Sequence, residues 1–502
     1  MIFCILMLHR FWDYSQSQPS LCLNIAIGGF EDNGKVIKEV EQSMKQFLAY
    51  RFFGRVNISL DVNIIGLKED FMTQFNGILE KPDDFLKDDV FTISPESPFY
   101  DLLHSKYSIL SLNSKSKYTL FIINGKKDSL EFRYGGSKSQ NQCFLLGMRA
   151  SFCYVSLDAR FAIPHIFRKI NNFLDGFLPP EPQPSFHVPS SIVLSIVTFG
   201  PNINSAMLRT HMESVLPPSV DCHVLVTPKN LYEFPLIVAG LYSDSFSDLI
   251  SSIKMSEHVL GVSAANAFET NSSQKIIPVF VFEKLDMYSY DSPVYSDNKM
   301  AAIFVENDDP MRLVLSAVSS FIPGLSDKPT ISGHHPLYPA GGYSEFSPLI
   351  SDSVMLSYIL NDMHYTEDIF YEAQTVSEDI KKLDLSWINT SSIESLYPSL
   401  ELSYKATINN INQNKLLQAL TTVSTSRKVA EDILSSFKRL AQQSEIFSRC
   451  CPVSYYVAKP RSTISTIILV CGFLLMFGWS IYKFYMLYSQ KKYSYIPKML
   501  DF

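Results

Sequence analysis

One stretch near the start of the chain has the glycine and lysine spacing of a phosphate-binding loop. Residues 28–36 read GGFEDNGKV and contain the pattern G-x-x-x-x-G-K. That loop needs a serine or threonine after the lysine to bind magnesium, but Val36 follows Lys35 here. Glu31 and Asp32 would also place negative charge beside the phosphates. We therefore interpret the stretch as a strand-to-helix turn, and we predict no nucleotide or other cofactor.

Two further groups have residue types that metal sites and nucleophiles use. His334 and His335 are adjacent, but adjacent side chains rarely converge on one ion, and the chain has no H-E-x-x-H or C-x-x-C partner motif. Asp221, Cys222 and His223 are consecutive, and consecutive residues on a strand point to opposite faces. The chain also lacks a G-x-S-x-G nucleophile motif. We therefore assign no catalytic, cofactor-binding or metal-binding residue, and we favour a protein that is not an enzyme.

Composition bounds the class of protein. The chain has 502 residues, of which 46% are hydrophobic, with 36 Phe and 26 Tyr. This length and composition suffice for the cores of two or three domains and are unlike those of a disordered chain. The net charge is −7, and no basic block with interleaved aromatic residues occurs. The sequence therefore excludes nucleic acid as a general partner.

The segment Ile464–Tyr482 (ISTIILVCGFLLMFGWSIY) is apolar and carries no charge. Its 19 residues approach the length of about 20 needed to cross the hydrocarbon core of a bilayer. Trp479 and several tyrosines at its end, followed by Lys483, are typical of a membrane interface. The sequence therefore predicts one C-terminal transmembrane helix, with a lipid bilayer as partner and a short cytosolic tail at 483–502. The alternative is a buried helix of a soluble core.

The orientation in the membrane depends on the start of the chain. Residues 1–20 open with eight apolar residues and read as a possible signal peptide, although a charged n-region and an A-x-A cleavage site are missing. Three sequons, at Asn57, Asn271 and Asn389, mark possible glycosylation sites but are no more than chance would give. We favour a type I membrane protein of the endoplasmic reticulum or another secretory membrane, with most of the chain on the lumenal side. The alternative is a tail-anchored protein with a cytosolic bulk.

The cysteines bear on the same choice. Cys143 and Cys153 flank a predicted hairpin and could form a disulfide across it if the bulk is lumenal. In the cytosol they would be buried small hydrophobic residues. The adjacent pair Cys450 and Cys451 could be palmitoylated in the cytosol or disulfide-bonded in the lumen.

Hydrophobic periodicity divides the chain into two α/β lobes and a helical region. Lobe 1 (21–178) alternates apolar strands such as 118–124 with helices such as 69–80, and lobe 2 (191–323) does the same. A Pro-rich linker at 179–190 separates them. The remaining segments are a Gly/Pro/Tyr loop at 324–350 and a helical membrane-proximal region at 351–460, with two helices predicted over Val354–Leu383 and one or two over Asn409–Phe447.

Three stretches stand out together: the strand at 118–124, the turn Arg133–Gly136 with the strand pair that includes Met148–Asp158, and the strand Pro278–Phe282. Their order and character resemble those of an uncharacterised family of single-pass membrane proteins that is best represented in plants. The resemblance implies an endomembrane type I protein with a domain of unknown function, and it assigns no catalytic residue.

The combined expectation is a mixed α/β ectodomain in two lobes, a helical region and one membrane helix. We expect a non-enzymatic lumenal protein that binds other proteins or supports trafficking. The alternatives are a lumenal enzyme with a cleft between the lobes and a tail-anchored protein that faces the cytosol.

Overall fold

The computed structural model describes most of the chain. The described residues are 19–49, 58–80, 86–87, 90–93, 96–113, 117–125, 131–134, 137–138, 143–156, 162–177, 190–243, 245–256, 274–284, 294–296, 300–306, 310–319, 321–322, 347–382, 393, 395–450 and 463–493. The chain divides into two compact units, Met1–Lys438 and Arg439–Phe502.

Lobe 1 alternates strands and helices. Its strands are β1 (Ser20–Gly28), β2 (Ser59–Gly66), β3 (Leu86–Lys87), β4 (Val90–Ile93), β5 (Tyr118–Asn124), β6 (Glu131–Tyr134), β7 (Ser137–Lys138), β8 (Cys143–Leu145) and β9 (Ala150–Val155). Its helices are α1 (Asn33–Ala49), α2 (Glu69–Glu80), α3 (Pro98–Asn113) and α4 (Ala162–Phe177).

The main sheet of lobe 1 has the strand order β2-β1-β5-β9-β8. The first four strands are parallel, and β8 pairs antiparallel with β9 at one edge. Strands β5 and β9 are nearly continuous apolar runs because helices cover both faces of a parallel sheet. On one face the α2 residues Phe71, Phe75 and Leu79 pack with sheet residues in a single core cluster. A second, four-stranded sheet has the order β3-β4-β6-β7.

Lobe 2 contains strands β10 (Ser191–Phe199), β11 (Asp221–Pro228), β12 (Gln274–Glu283), β13 (Val294–Ser296) and β14 (Ala301–Val305). Its helices are α5 (Ser205–Val215), α6 (Pro235–Leu241), α7 (Phe246–Met255) and α8 (Pro310–Ser319), with a short 3-10 helix at Leu231–Glu233. The strand order is β11-β10-β12-β14-β13, and only β13 is antiparallel to its neighbour.

The two main sheets have the same topology and the same register. In each lobe the first strand lies second in the sheet, the next strand along the chain forms the edge, and the opposite edge is a short antiparallel strand. Leu23 lies opposite Tyr118 in lobe 1 as Leu194 lies opposite Ile277 in lobe 2. The antiparallel pair also matches, since Leu145 faces Ser151 as Ser296 faces Ala301.

Hydrogen bonds beyond the strand ends repeat at equivalent positions. In each lobe, the backbone N–H of the first residue of the second strand donates to the carbonyl of the residue before the first strand. The N–H of the residue just after the second strand donates to the carbonyl near the end of the first strand, and the N–H just after the third parallel strand donates to the carbonyl at the end of the fourth parallel strand. The pairs are Ser59 N to Pro19 O and Asp221 N to Ser190 O, Leu67 N to Ile27 O and Lys229 N to Thr198 O, and Gly125 N to Val155 O and Lys284 N to Val305 O. The first strands, SLCLNIAIGG (20–29) and SIVLSIVTFG (191–200), share four of ten residues in this alignment. The two lobes are therefore an internal structural repeat, which the sequence did not reveal.

A glycine with positive φ comes directly after the first strand of both lobes. Gly29 has φ 86° and Gly200 has φ 111°, a conformation that favours glycine. A Cβ on Gly29 would lie 2.0 Å from the backbone oxygen of Asn124, which ends β5. A Cβ on Gly200 would lie 3.0 Å from the Glu283 carboxylate, which ends β12. In both repeats, the loop after the first strand closes against the end of the third parallel strand of the sheet.

The helical region contains α9 (Pro348–Lys382), α10 (Tyr397–Asn412) and α11 (Leu416–Cys450). The sequence predicted two helices over Val354–Leu383, but α9 is one continuous helix of 35 residues. Helices α10 and α11 are separated by a turn in which Asn414 has φ 54°. An asparagine tolerates this left-handed conformation better than most residues. Helix α9 packs against α4 of lobe 1 and α5 of lobe 2, and so it contacts both repeats.

Helix α12 (Thr463–Tyr493) occupies the position of the predicted transmembrane helix. Among the helices as far as the structure describes them, none is both long enough and apolar enough to cross a bilayer. A span needs about 20 apolar residues, whereas the described side chains of α12 run from 474 to 489 and include Lys483. The prediction of a C-terminal transmembrane helix at Ile464–Tyr482 is therefore wrong for the helix as described, and the side chains of 464–473 lie outside the described part. The fold is mixed α/β.

We predict that Gly29→Ala destabilises the protein by about 3 kcal/mol, because alanine at positive φ is strained and its methyl group would meet a backbone oxygen. Gly77→Ala in α2 is the matched control, since a Cβ there meets nothing within 4 Å. The control should be neutral or stabilise by about 0.5–1 kcal/mol. Urea unfolding followed by circular dichroism measures both. Equal stability of the two variants would contradict the loop closure described here.

Candidate functional site

The loop with phosphate-binding spacing forms a capped helix start. The Asp32 carboxylate accepts a hydrogen bond from the backbone nitrogen of Lys35 at 3.1 Å, and so occupies the amide end of α1. The Lys35 side chain is 70% exposed and lies 4.0 Å from Glu39 on the same helix. Val36 is buried in the core. The residues in this loop therefore serve the turn between β1 and α1.

The Asp221–His223 triple is spread over two faces of β11. Cys222 is buried, whereas Asp221 and His223 are exposed. Burial raises the pKa of the Cys222 thiol to about 11, so this group is protonated at neutral pH. No group of three or more potential metal ligands occurs within the described ranges. His334 and His335 lie outside these ranges.

The predicted modification sites are only partly described. Asn57, Asn271 and Asn389 all lie outside the described residues. Cys143 lies directly opposite Cys153 in the register of β8 and β9, as the predicted hairpin requires. Cys153 is buried and disulfide-bonded. The Cys143 side chain lies outside the described part, so its pairing with Cys153 stays a prediction.

Several of the polar contacts that join the parts of the first unit involve α9. Asp352, near the start of α9, forms a bidentate ion pair with Arg149 at the turn between β8 and β9. The Arg149 Nη2 to Asp352 Oδ1 distance is 3.1 Å, and only 8% of the Asp352 side chain is exposed. The hydrogen bond from Arg149 holds the pKa of the guanidinium above its usual value. Burial, together with the nearby Asp352 carboxylate, raises the pKa of Tyr118 well above its usual range.

A second acid on α9 binds α11. The Asp362 carboxylate accepts a hydrogen bond from Arg427 Nη1 at 2.9 Å, and the guanidinium lies 4.4 Å from the centre of the Tyr365 ring. Arg427 also pairs with Glu431 on its own helix at 3.1 Å. The pKa of Asp362 is raised, because burial of the carboxylate outweighs the attraction of Arg427.

Two further acids continue the series along α9. Glu367 accepts a hydrogen bond from the Tyr404 hydroxyl of α10, and Glu372 lies 2.7 Å from Lys438 of α11. We call Asp352, Asp362, Glu367 and Glu372 the α9 acid series. Each member contacts a side chain of another element. Helices α10 and α11 are also joined directly by short polar side chains: Thr407 Oγ1 lies 2.9 Å from Thr422 Oγ1, and Ser426 Oγ lies 2.9 Å from Ser403 Oγ.

The sequence alone did not reveal the α9 acid series. Its members are 5 to 10 residues apart along the helix, and their partners lie up to 203 residues away in the chain. The only local signal was that α9 carries acidic residues among its apolar ones. A buried carboxylate on such a helix needs a cationic or hydrogen-bonding partner.

The most exposed apolar surface of the described chain lies on α12. Every side chain from Leu474 to Tyr488 is exposed, which places apolar groups on all sides of the helix. The exposed fraction is 66% for Trp479 and 76% for Phe484. Exposed apolar surface of this extent marks an interaction site.

Two comparisons bear on the family of the chain. No family model matches the chain, and no curated protein matches it. The resemblance to a plant-rich membrane protein family therefore stays a prediction.

We predict that Asp352→Ala destabilises the fold by about 1–2 kcal/mol, because it leaves the half-buried Arg149 guanidinium without its partner while part of that group stays hydrated. Glu213→Ala is the matched control, since Glu213 forms an exposed ion pair with Arg209 on α5 and should cost under about 0.5 kcal/mol. A double-mutant cycle with Arg149→Ala, read by urea unfolding, isolates the pair. Additive single-variant effects would show that the pair does not hold α9 to lobe 1.

Proposed function

We propose that the chain is a non-enzymatic endomembrane protein that contacts a lipid bilayer through α12 and binds other proteins through its α/β body. The observation that carries the proposal is the exposure of every side chain from Leu474 to Tyr488. The proposal needs only contact with a bilayer.

The distribution of apolar groups around α12 favours lipid over a protein groove. Successive helical residues are turned by about 100°, so the four consecutive residues 474–477, Leu-Leu-Met-Phe, point to every side of the helix. A groove on a partner protein covers a stripe with i, i+3 and i+4 spacing. The boundary between headgroups and acyl chains can receive such a helix, and this contact does not require the helix to cross the bilayer.

The aromatic residues of α12 support the same assignment. Trp479, Tyr482, Tyr485 and Tyr488 are all at least half exposed, and the rings of Trp479 and Tyr482 lie 6.3 Å apart. Tryptophan and tyrosine have an apolar body and a polar tip, and they concentrate where hydrocarbon meets water.

The state of Cys153 supports a lumenal location for the body. A disulfide that involves this buried strand residue persists in the oxidising lumen, whereas the cytosol keeps most thiols reduced. The polar side chains of the α9 acid series support a structural role over a catalytic one, since each contacts another element of the same body.

We predict that the full chain floats with phosphatidylcholine vesicles in a density gradient, and that replacing Leu474, Phe477, Ile481 and Phe484 with glutamine abolishes flotation. Glutamine keeps the helix propensity while removing the apolar surface. The matched control replaces Tyr232, Met255, Leu402 and Leu417, which are equally exposed on the body.

The control variant should float like the natural chain. Flotation of the α12 variant at the natural level would overturn the proposal. If the natural chain instead stays with the protein fraction and self-associates through α12, the partner is a second copy and not lipid.

We also predict that the protein isolated from its host loses mass on treatment with an N-glycosidase, and that glutamine at Asn57, Asn271 and Asn389 removes this shift. The reason is that sequons are modified only in the secretory pathway. An unshifted natural protein, whose body is digested by protease outside intact microsomes, would show that the body faces the cytosol.

A further inference from the structure

We infer that the bilayer surface bound by α12 is anionic. The inference rests on the proposed membrane contact and adds the class of lipid headgroup. The observation behind it is the charge of the C-terminal end of the chain, set against the charge of the rest.

Positive charge is concentrated beside the apolar part of α12. Residues 483–502 contain four lysines and one aspartate, although the chain as a whole carries a net charge of −7. The part before residue 483 is therefore more acidic than the whole. Lys483 is exposed within the run of aromatic side chains, and the helix backbone continues through Lys491 and Lys492 to Tyr493.

The position of Lys483, Lys491 and Lys492 along α12 matches the geometry of a bilayer surface. The described apolar side chains, from Leu474 to Tyr488, are continuous with the lysine-bearing end of the same helix. A helix whose apolar part enters the acyl region brings its adjoining lysines to the level of the phosphates. Long lysine side chains reach headgroups without displacing the helix.

The acidic body adds selectivity to this arrangement. An anionic surface attracts the lysine-rich end and repels the rest of the chain, so the helix end is the part that is drawn to the membrane. A neutral surface offers only the apolar contact. Anionic headgroups should therefore strengthen binding, and the gain should shrink as salt screens the lysines.

The test compares phosphatidylcholine vesicles with vesicles that also contain phosphatidylserine, using the full chain and a flotation assay. Because each lysine near an anionic surface contributes on the order of fivefold, several together predict a preference of about a hundredfold for the anionic vesicles. A variant with Lys483, Lys491, Lys492 and Lys498 changed to glutamine should keep its binding to neutral vesicles and lose this preference.

The matched control changes Lys254, Lys405, Lys415 and Lys428 to glutamine, four lysines of the body, and so alters the net charge equally. It should keep the preference. Binding to neutral vesicles without any gain from phosphatidylserine would overturn the inference and leave the membrane contact standing. An equal loss of the preference in both lysine variants would also overturn the inference. The preference for anionic vesicles would then depend on the net charge of the protein and not on the α12 lysines. Failure to bind either vesicle would remove the membrane contact itself.

Discussion

The arrangement of the first unit depends on the burial of carboxylates on one long helix. Asp352 on α9 is buried and Asp362 is mostly buried, and a carboxylate that is largely removed from water is tolerated only with a partner. Their partners are Arg149 of lobe 1 and Arg427 of α11. A misplaced α9 would leave both charges buried and unpaired, which costs more free energy than the pairs gain when formed. The two ion pairs therefore contribute mainly to the specificity of the fold, because other placements of α9 would be less stable.

The internal repeat explains why α9 can contact both lobes. Each lobe presents a helix-covered parallel sheet of the same order and register, and α9 packs on one helix of each. The repeats differ in the elements that come after their edge strand. Between the edge strand and the third strand of the sheet, lobe 1 carries α2, α3 and the strands β3 and β4 of the small sheet, whereas lobe 2 has α6 and α7 there. The common part is the sheet, which requires a fixed register, and the variable part is the covering layer, which requires only apolar surface.

Hydrophobic periodicity in the sequence predicts the long apolar helices and strands, but it does not predict contacts between residues that are distant in the chain. The helix at 69–80, the strand at 118–124 and the mixed α/β class are predictable from the sequence, because each such segment is amphipathic or wholly apolar. The strand β13 and the helices α5, α6 and α7 were missed, since short elements carry too few residues to show a period. The helix α3 has 16 residues and was missed as well, because its apolar residues are not gathered on one face. The candidate site was predictable in less detail, because ion pairs between residues that are distant in the sequence leave no local pattern.

Because the lobes are repeats, each core position in one lobe has an equivalent position in the other. The side chain at the equivalent position shows a second volume that the same fold accepts there. Phe152 of β9 corresponds to Ala302 of β14, a large loss of volume, while Ile123 corresponds to Phe282 and Ala26 to Val197, which are gains. All six side chains are buried in the equivalent layer of their lobe. The two lobes thus have the same backbone arrangement and a similar total side-chain volume in the core, but they place the large side chains at different positions, as close packing requires. The tolerance of one core to changes in side-chain volume can therefore be judged from the other.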